Sequence, residues 1–338
     1  MTTQPARHTG FNMRSASTFR DRSRSHPVRA GAIAALAVVC ILESSAQPMF
    51  RSEASLVALQ VTVTDLQRRY VPDLRREDFS VLEEGRPQTV SLFAASTVPL
   101  DLMLLLDTSA SMVGILSIAR QAAVNFVRGL GPEDRAGVVV IRDRVQVARA
   151  LTNETRELES AIEDAPIAGK TALYDALYLA LKEFTRQAGT DYQMRRQAII
   201  VFTDGQDNAS HVRVGDLIEE ARRSAVMIYA VVPVRQPAPG LSSPPARDWS
   251  EMRRLARVSG GRVFTPADVS DLAGAYEAIT KELSHQYWLA FTPSTSARGF
   301  RRVAVRVVTR PSLRARTREG YYAGGSRRPV VVPPRDSS

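Results

Sequence analysis

The sequence predicts an α/β protein: a mainly parallel, doubly wound sheet with a small β unit contributed by the flanking N- and C-terminal segments. Three observations point to this. Leu102–Leu106, Ala136–Ile141 and Ala198–Phe202 are nearly continuous apolar runs, as expected of strands buried on both faces. Amphipathic helical segments separate them, and repeated βα units imply right-handed crossovers with helices on both faces. On either side of this stretch the pattern changes to period-two alternation, the signature of half-buried strands.

Residues 1–46 read as a targeting segment. Arg7, Arg14, Arg20, Arg22, Arg24 and Arg29 form a basic region, Gly31–Leu42 an apolar one, and Ser44, Ser45 and Ala46 a small-residue cleavage site before Gln47. The apolar run is shorter than the roughly 20 residues of a membrane-spanning helix. Cleavage is therefore expected, with no transmembrane helix in the mature chain. Export would place the protein in the periplasm, on the cell surface or outside the cell. Loss of residues 1–46 lowers the formal charge from +10 to +6 and removes Cys40, the only cysteine. The mature chain then has no disulfide. Lysine occurs only at Lys170, Lys182 and Lys281; the abundant arginines are scattered among acids rather than gathered into a nucleic-acid stripe.

Residues 47–97 form the first β segment. Val57, Leu59, Val61 and Val63 alternate with Ala58, Gln60, Thr62 and Thr64, which predicts a half-buried strand. Phe79–Gly85 and Gln88–Phe93 predict a hairpin around Glu84, Gly85, Arg86 and Pro87. The α/β stretch is residues 98–284. After Leu102–Leu106 come a helix over Ile115–Leu130, a strand over Ala136–Ile141, a polar edge strand over Val145–Leu151 and a helix over Glu154–Asp164. A long helix, Ala172–Arg186, precedes the strand Gln197–Phe202. Then follow a helix at Val212–Ala225, a strand at Met227–Val234, a loop at Arg235–Pro245 and a helix at Asp248–Ser259. A short strand at Arg262–Phe264 and a last helix at Leu272–Leu283 complete it. Residues 285–323 return to β patterning in Tyr287–Phe291 and Val303–Val307, and are expected to pair with the first β segment. Residues 324–338, rich in Gly, Pro, Arg and Ser, predict a disordered tail.

The first buried strand stops at Asp107-Thr108-Ser109-Ala110-Ser111. In open α/β sheets the carboxyl ends of the strands carry the site. Asp107, Ser109 and Ser111 offer three hard oxygen donors within one turn, which suit Mg²⁺ or Mn²⁺. The same residues would also serve simply to cap the next helix. Two later pieces add to them: Thr171, where the long helix begins, and Asp204, at the end of the second buried strand. Together these resemble the metal-ion-dependent adhesion site of the von Willebrand factor type A domain. The β segments resemble those flanking it in secreted bacterial "VWFA-related" proteins.

The resemblance covers residues 98–284 and implies a Rossmann-like fold. It implies a metal site of Asp107, Ser109, Ser111, Thr171 and Asp204, with Mg²⁺ as cofactor and Mn²⁺ or Ca²⁺ as alternatives. The three hydroxyls would ligate directly, and the two aspartates mostly through water. A neutral inner shell leaves the cation underneutralised, open to an acidic side chain of a protein partner. The function so implied is an exported, non-enzymatic adhesion or protein-binding module.

Alternatives are an assembly module without metal-dependent binding and a metal-assisted hydrolase using His211. Mature residues include only two histidines, His211 and His285, with no His-Glu-x-x-His, Gly-x-Ser-x-Gly or cysteine nucleophile. Gly169-Lys170-Thr171 is not the end of a phosphate loop, since Asp164 stands where that motif needs glycine. Nucleic-acid binding ranks last.

Overall fold

The structure, a computed structural model, describes residues 56–95, 98–167, 169–187, 195–233, 249–267, 271–295 and 297–324. The targeting segment, the Arg235–Pro245 loop and the tail from residue 325 lie outside the described residues. In chain order the elements begin with β1 (Val57–Thr64), β2 (Phe79–Glu83), β3 (Arg86–Gln88), β4 (Val90–Ala95) and β5 (Leu100–Asp107). Next come α1 (Val113–Arg128), β6 (Arg135–Ile141), β7 (Gln146–Thr152), α2 (Thr155–Glu163), α3 (Leu173–Gln187) and β8 (Arg196–Phe202). Then α4 (Val214–Arg223), β9 (Met227–Val231), α5 (Ser250–Ser259), β10 (Val263–Phe264) and α6 (Leu272–Ser284) complete the α/β unit. The chain returns to β structure with β11 (Gln286–Phe291), β12 (Gly299–Val307), β13 (Arg314–Arg316) and β14 (Gly320–Ala323).

The central sheet has the order β10-β9-β8-β5-β6-β7. All its pairings are parallel except β6 with β7, the edge strand. Every residue of β5 is buried, and successive side chains enter opposite layers. Leu102, Leu104 and Leu106 pack with α1, α2 and α6; Met103 and Leu105 pack with α3, α4 and α5. Helix α3 supplies Leu173, Ala176, Leu177, Ala180, Leu181 and Phe184 to its layer, at the three- and four-residue spacing of one helix face. Ala110–Arg128 has the length and apolarity of a membrane span. In this fold about half of it is buried, with Ile115, Ala119, Ala123 and Phe126 packed on the sheet.

The two chain ends build a pair of four-stranded antiparallel sheets, β13-β1-β11-β4 and β14-β12-β2-β3. Leu59, Val61, Tyr287 and Leu289 from the first share a core with Phe79, Val81, Val303 and Val305 from the second. The small β unit is therefore larger than alternation suggested: a sandwich with its own core.

Two sequence expectations are corrected here. Strand β1 is buried on both faces, not one. Its polar face docks on the α/β unit, where the Gln60 amide donates to the Ala225 carbonyl at 2.8 Å and the Gln197 carbonyl at 3.1 Å, and Thr62 donates to Glu282 at 3.3 Å. The expected hairpin is also shorter. Glu84 and Gly85 both have positive φ, 47° and 78°, the conformation of a tight two-residue hairpin turn. Strand β2 returns only as far as β3, and β4 crosses to the other sheet.

Glu282 of α6 is the hub between the two units. Tyr229 of β9 donates to it at 2.7 Å, Tyr70 at 3.3 Å, and Arg316 of β13 closes an ion pair with it.

Candidate metal centre

Strands β5 and β8 are parallel neighbours, so Asp107 and Asp204 emerge at the same edge of the sheet. After β5 the chain builds outward through β6 and β7, then returns to the other side of β5 to lay down β8, β9 and β10. The crevice between β5 and β8 is thus the switch point of the topology, where open α/β sheets bind their ligands.

Hydrogen bonds tie together the loops that carry the five expected residues. The Ser109 amide donates to Asp107 Oδ1 at 3.0 Å, and the hydroxyls of Ser109 and Ser111 are 3.1 Å apart. Thr171 sits just before α3. Its loop is joined to the first one by a bond from the Ala110 amide to the Gly169 carbonyl, 3.4 Å, and to the Ile141 end of β6 by the Ala172 amide on the Arg142 carbonyl, 3.0 Å. Asp107, Ser109, Thr171 and Asp204 are buried, and Ser111 is half-buried.

Burial holds the Asp107 carboxyl above the usual carboxylate range. Hydrogen bonds from Ser109 and Thr203 oppose this, and the neighbouring Asp204 charge adds to it. Its partners by hydrogen bond are neutral, a backbone amide and hydroxyls. Two mutually repelling acids beside three hydroxyls are a donor set of hard oxygens, which fits a divalent cation such as Mg²⁺. Among the described residues no cluster of three or more His, Cys, Asp or Glu side chains forms a conventional metal cage. Any cation here would depend on the hydroxyls.

Further residues support these loops, most of them unmarked in the sequence. Thr203 donates to Asp107 Oδ2 at 2.7 Å and accepts from the Gly205 amide at 3.0 Å, tying the two acidic loops together. Asn208 accepts from the Thr171 amide at 2.9 Å, while the Asn208 and Ala209 amides donate to the Thr171 carbonyl. Asp207 accepts from the Leu173 amide at 2.9 Å and the Ser210 hydroxyl at 2.6 Å, capping the first turn of α3 from a distant loop. Gly205, at φ +81°, lies under the Trp249 ring; a Cβ there would meet the indole at 2.9 Å. The one available signal was the density of Asp, Asn and Ser after Asp204, which also fits an ordinary turn.

His211 does not join this group. Its side chain is 93% exposed, with the ring 3.2 Å from Asp175 on the first turn of α3. The Asp175 carboxylate also accepts the His211 and Val212 amides.

Fold and site together define a doubly wound α/β module with hard-oxygen donors at its switch point. Consistent with this, the family model of the von Willebrand factor type A domain matches residues 101–278. The chain belongs to that family, whose domains commonly bind a divalent metal at an adhesion motif and generally mediate protein–protein interaction.

Among curated proteins it is similar to a "UPF0353 protein" of Nocardia farcinica, 21% identical over 54% of this chain and 63% of that protein. A namesake from Mycolicibacterium paratuberculosis is 23% identical over 60% and 66%. The chain thus spans somewhat under two thirds of the length of the curated relatives it matches. Similar solved structures include a von Willebrand factor type A protein from Catenulispora acidiphila, at 13% identity, 73% coverage of both chains and a TM-score of 0.47. Another is proximal thread matrix protein 1 of the mussel byssus with a zinc-occupied adhesion motif, at 19% identity, covering 60% of this chain and 49% of that one, with a TM-score of 0.45. A third is an aerotolerance-related membrane protein of Bacteroides fragilis, at 21% identity, 54% and 98% coverage, and a TM-score of 0.41.

Proposed function

We propose that this is an exported, non-enzymatic binding protein that uses a divalent cation, held by Asp107, Ser109, Ser111, Thr171 and Asp204, to engage an acidic side chain of a partner protein. The observation that carries this reading is the buried pair Asp107 and Asp204, charges that repel each other at the switch point of the sheet. Mg²⁺ is the expected ion, with Mn²⁺ or Ca²⁺ able to use the same hard oxygens. When bound, the cation supplies a positive centre with coordination left open to an external carboxylate. The chain's own residues do the rest. Ser109, Ser111 and Thr171 present neutral oxygens, so the charge is not cancelled from within. Asp107 and Asp204 set the field that attracts the ion, and Thr203 and Asn208 hold the three loops in register. Export is supported by the basic and apolar pattern of residues 1–46.

Calorimetric titration of the full chain with Mg²⁺ and Mn²⁺, beside Asp204→Ala, tests the site. Saturable binding in the native protein and none in the variant is the expected outcome. Equal affinity in both would reject the assignment.

A further inference from the structure

Among the described residues only six large apolar side chains are strongly exposed, and two of them flank the candidate metal centre: Val113 at 51% and Ile167 at 53%. Val113 opens α1, two residues beyond Ser111. Ile167 precedes Thr171 by four residues, in a loop fastened at both ends to the same flank. Arg120 donates to the Ala165 carbonyl at one end, and Ala110 donates to the Gly169 carbonyl at the other. Ala165 and Gly169, on either side of Ile167, are thus held against α1 and against the turn that leads into it. Val113, two helical turns before Arg120, lies on the same helix face. Lys170, exposed and adjacent to Thr171, adds a positive charge at this rim. Arg144 is a second exposed cation on the neighbouring loop, and Asp143, whose Cβ lies 3.9 Å from a Cβ position on Gly169, is the rim's acid.

We infer that Val113, Ile167 and Lys170 form a second contact zone beside the cation, and that the partner presents an acidic side chain next to an apolar one. This deepens the proposed function and rests on it. The acid would meet the cation, its apolar neighbour would cover Val113 and Ile167, and Lys170 would favour an overall acidic segment. Exposed aliphatic side chains lose unfavourable hydration when covered, and the lone lysine of the rim complements the charge of such a partner. Position matters as much as exposure. Leu66 and Val308 are as exposed, but lie on the β sandwich side of the chain, away from the crevice.

The test uses two capped hexapeptides, each with a single aspartate flanked either by leucines or by serines. Their binding to the full chain is followed by fluorescence anisotropy in Mn²⁺. The leucine-flanked peptide should bind about tenfold more tightly, the size expected for covering part of a leucine side chain. Val113→Ser with Ile167→Ser should erase that preference while leaving Mn²⁺ affinity and serine-peptide binding intact; both positions are exposed, so folding is not at risk. Lys170→Glu should weaken both peptides alike. Equal, Mn²⁺-dependent binding of the two peptides, lost in Asp204→Ala, would overturn the apolar zone and leave the proposed function standing. Absence of Mn²⁺-dependent binding of either peptide to a chain that does bind Mn²⁺ would overturn the acid-binding reading, and this inference with it.

Discussion

Glu282 and Asp107 are both buried carboxylates in one α/β unit, and their surroundings are opposite. Glu282 lies where α6 meets the β sandwich and is answered by an arginine, two tyrosines and a threonine drawn from four separate parts of the chain. Asp107 lies at the far edge of the sheet, hydrogen-bonded among the described residues only to neutral groups and pushed by the charge of Asp204. An acid buried with its own counter-ion is a fastening. On the proposed reading, an acid buried beside another acid, among hydroxyls, is provision for a cation from outside. The first tolerates no missing partner, because an uncompensated buried charge is costly. The second forms no ion pair among the described residues, and on the proposed reading that is what leaves it for the ion.

The comparison breaks most visibly at Glu282. Glu282→Ala leaves the Arg316 guanidinium without its acid at the junction between units, and should destabilise the protein by about 3–5 kcal/mol, read as a lower urea midpoint. A change below about 0.5 kcal/mol, the size of an ordinary surface substitution, would show that the hub does not fasten the two units. A smaller effect sharpens the other side of the comparison. Thr203→Val removes a donor to Asp107 and the acceptor of the Gly205 amide. It should lower stability by roughly 1–3 kcal/mol, and because it frees a residue that orients the site, weaken Mg²⁺ binding about 10- to 100-fold. Unaltered Mg²⁺ affinity in that variant would remove Thr203 from the site's support.

The two regions also differ in how much of them the sequence made readable. Local pattern marks Asp107, Ser109 and Ser111 as a short polar interruption directly after an apolar strand, a pattern that also suits a helix cap; the five-residue set was legible only through the family resemblance that adds Thr171 and Asp204. The continuous apolar runs marked the parallel sheet by local pattern as well. What stayed hidden depends on partners far away in the chain. Gln60 and Thr62 read as a solvent face of β1, since nothing local shows that their acceptors lie 137 and 220 residues further on. Asp207 and Asn208 look like turn residues until α3 and Thr171 are placed against them. The break between β3 and β4 is invisible because Gln88–Phe93 keeps its strand propensity across it, and only the geometry of two sheets separates the halves.

The most direct test of the account is a melting experiment on Asp107→Asn and Glu282→Gln, each with and without Mg²⁺ at a hundred times its dissociation constant. In the native protein, metal bound only to the folded state should add roughly 2.7 kcal/mol of stability. The account predicts that Asp107→Asn melts like the metal-free native protein and gains nothing from Mg²⁺, whereas Glu282→Gln melts lower yet keeps the full Mg²⁺ response. An Asp107→Asn variant that is destabilised without metal and still responds fully to Mg²⁺ would mean that Asp107 is one more structural acid, and the contrast between the two centres would fall.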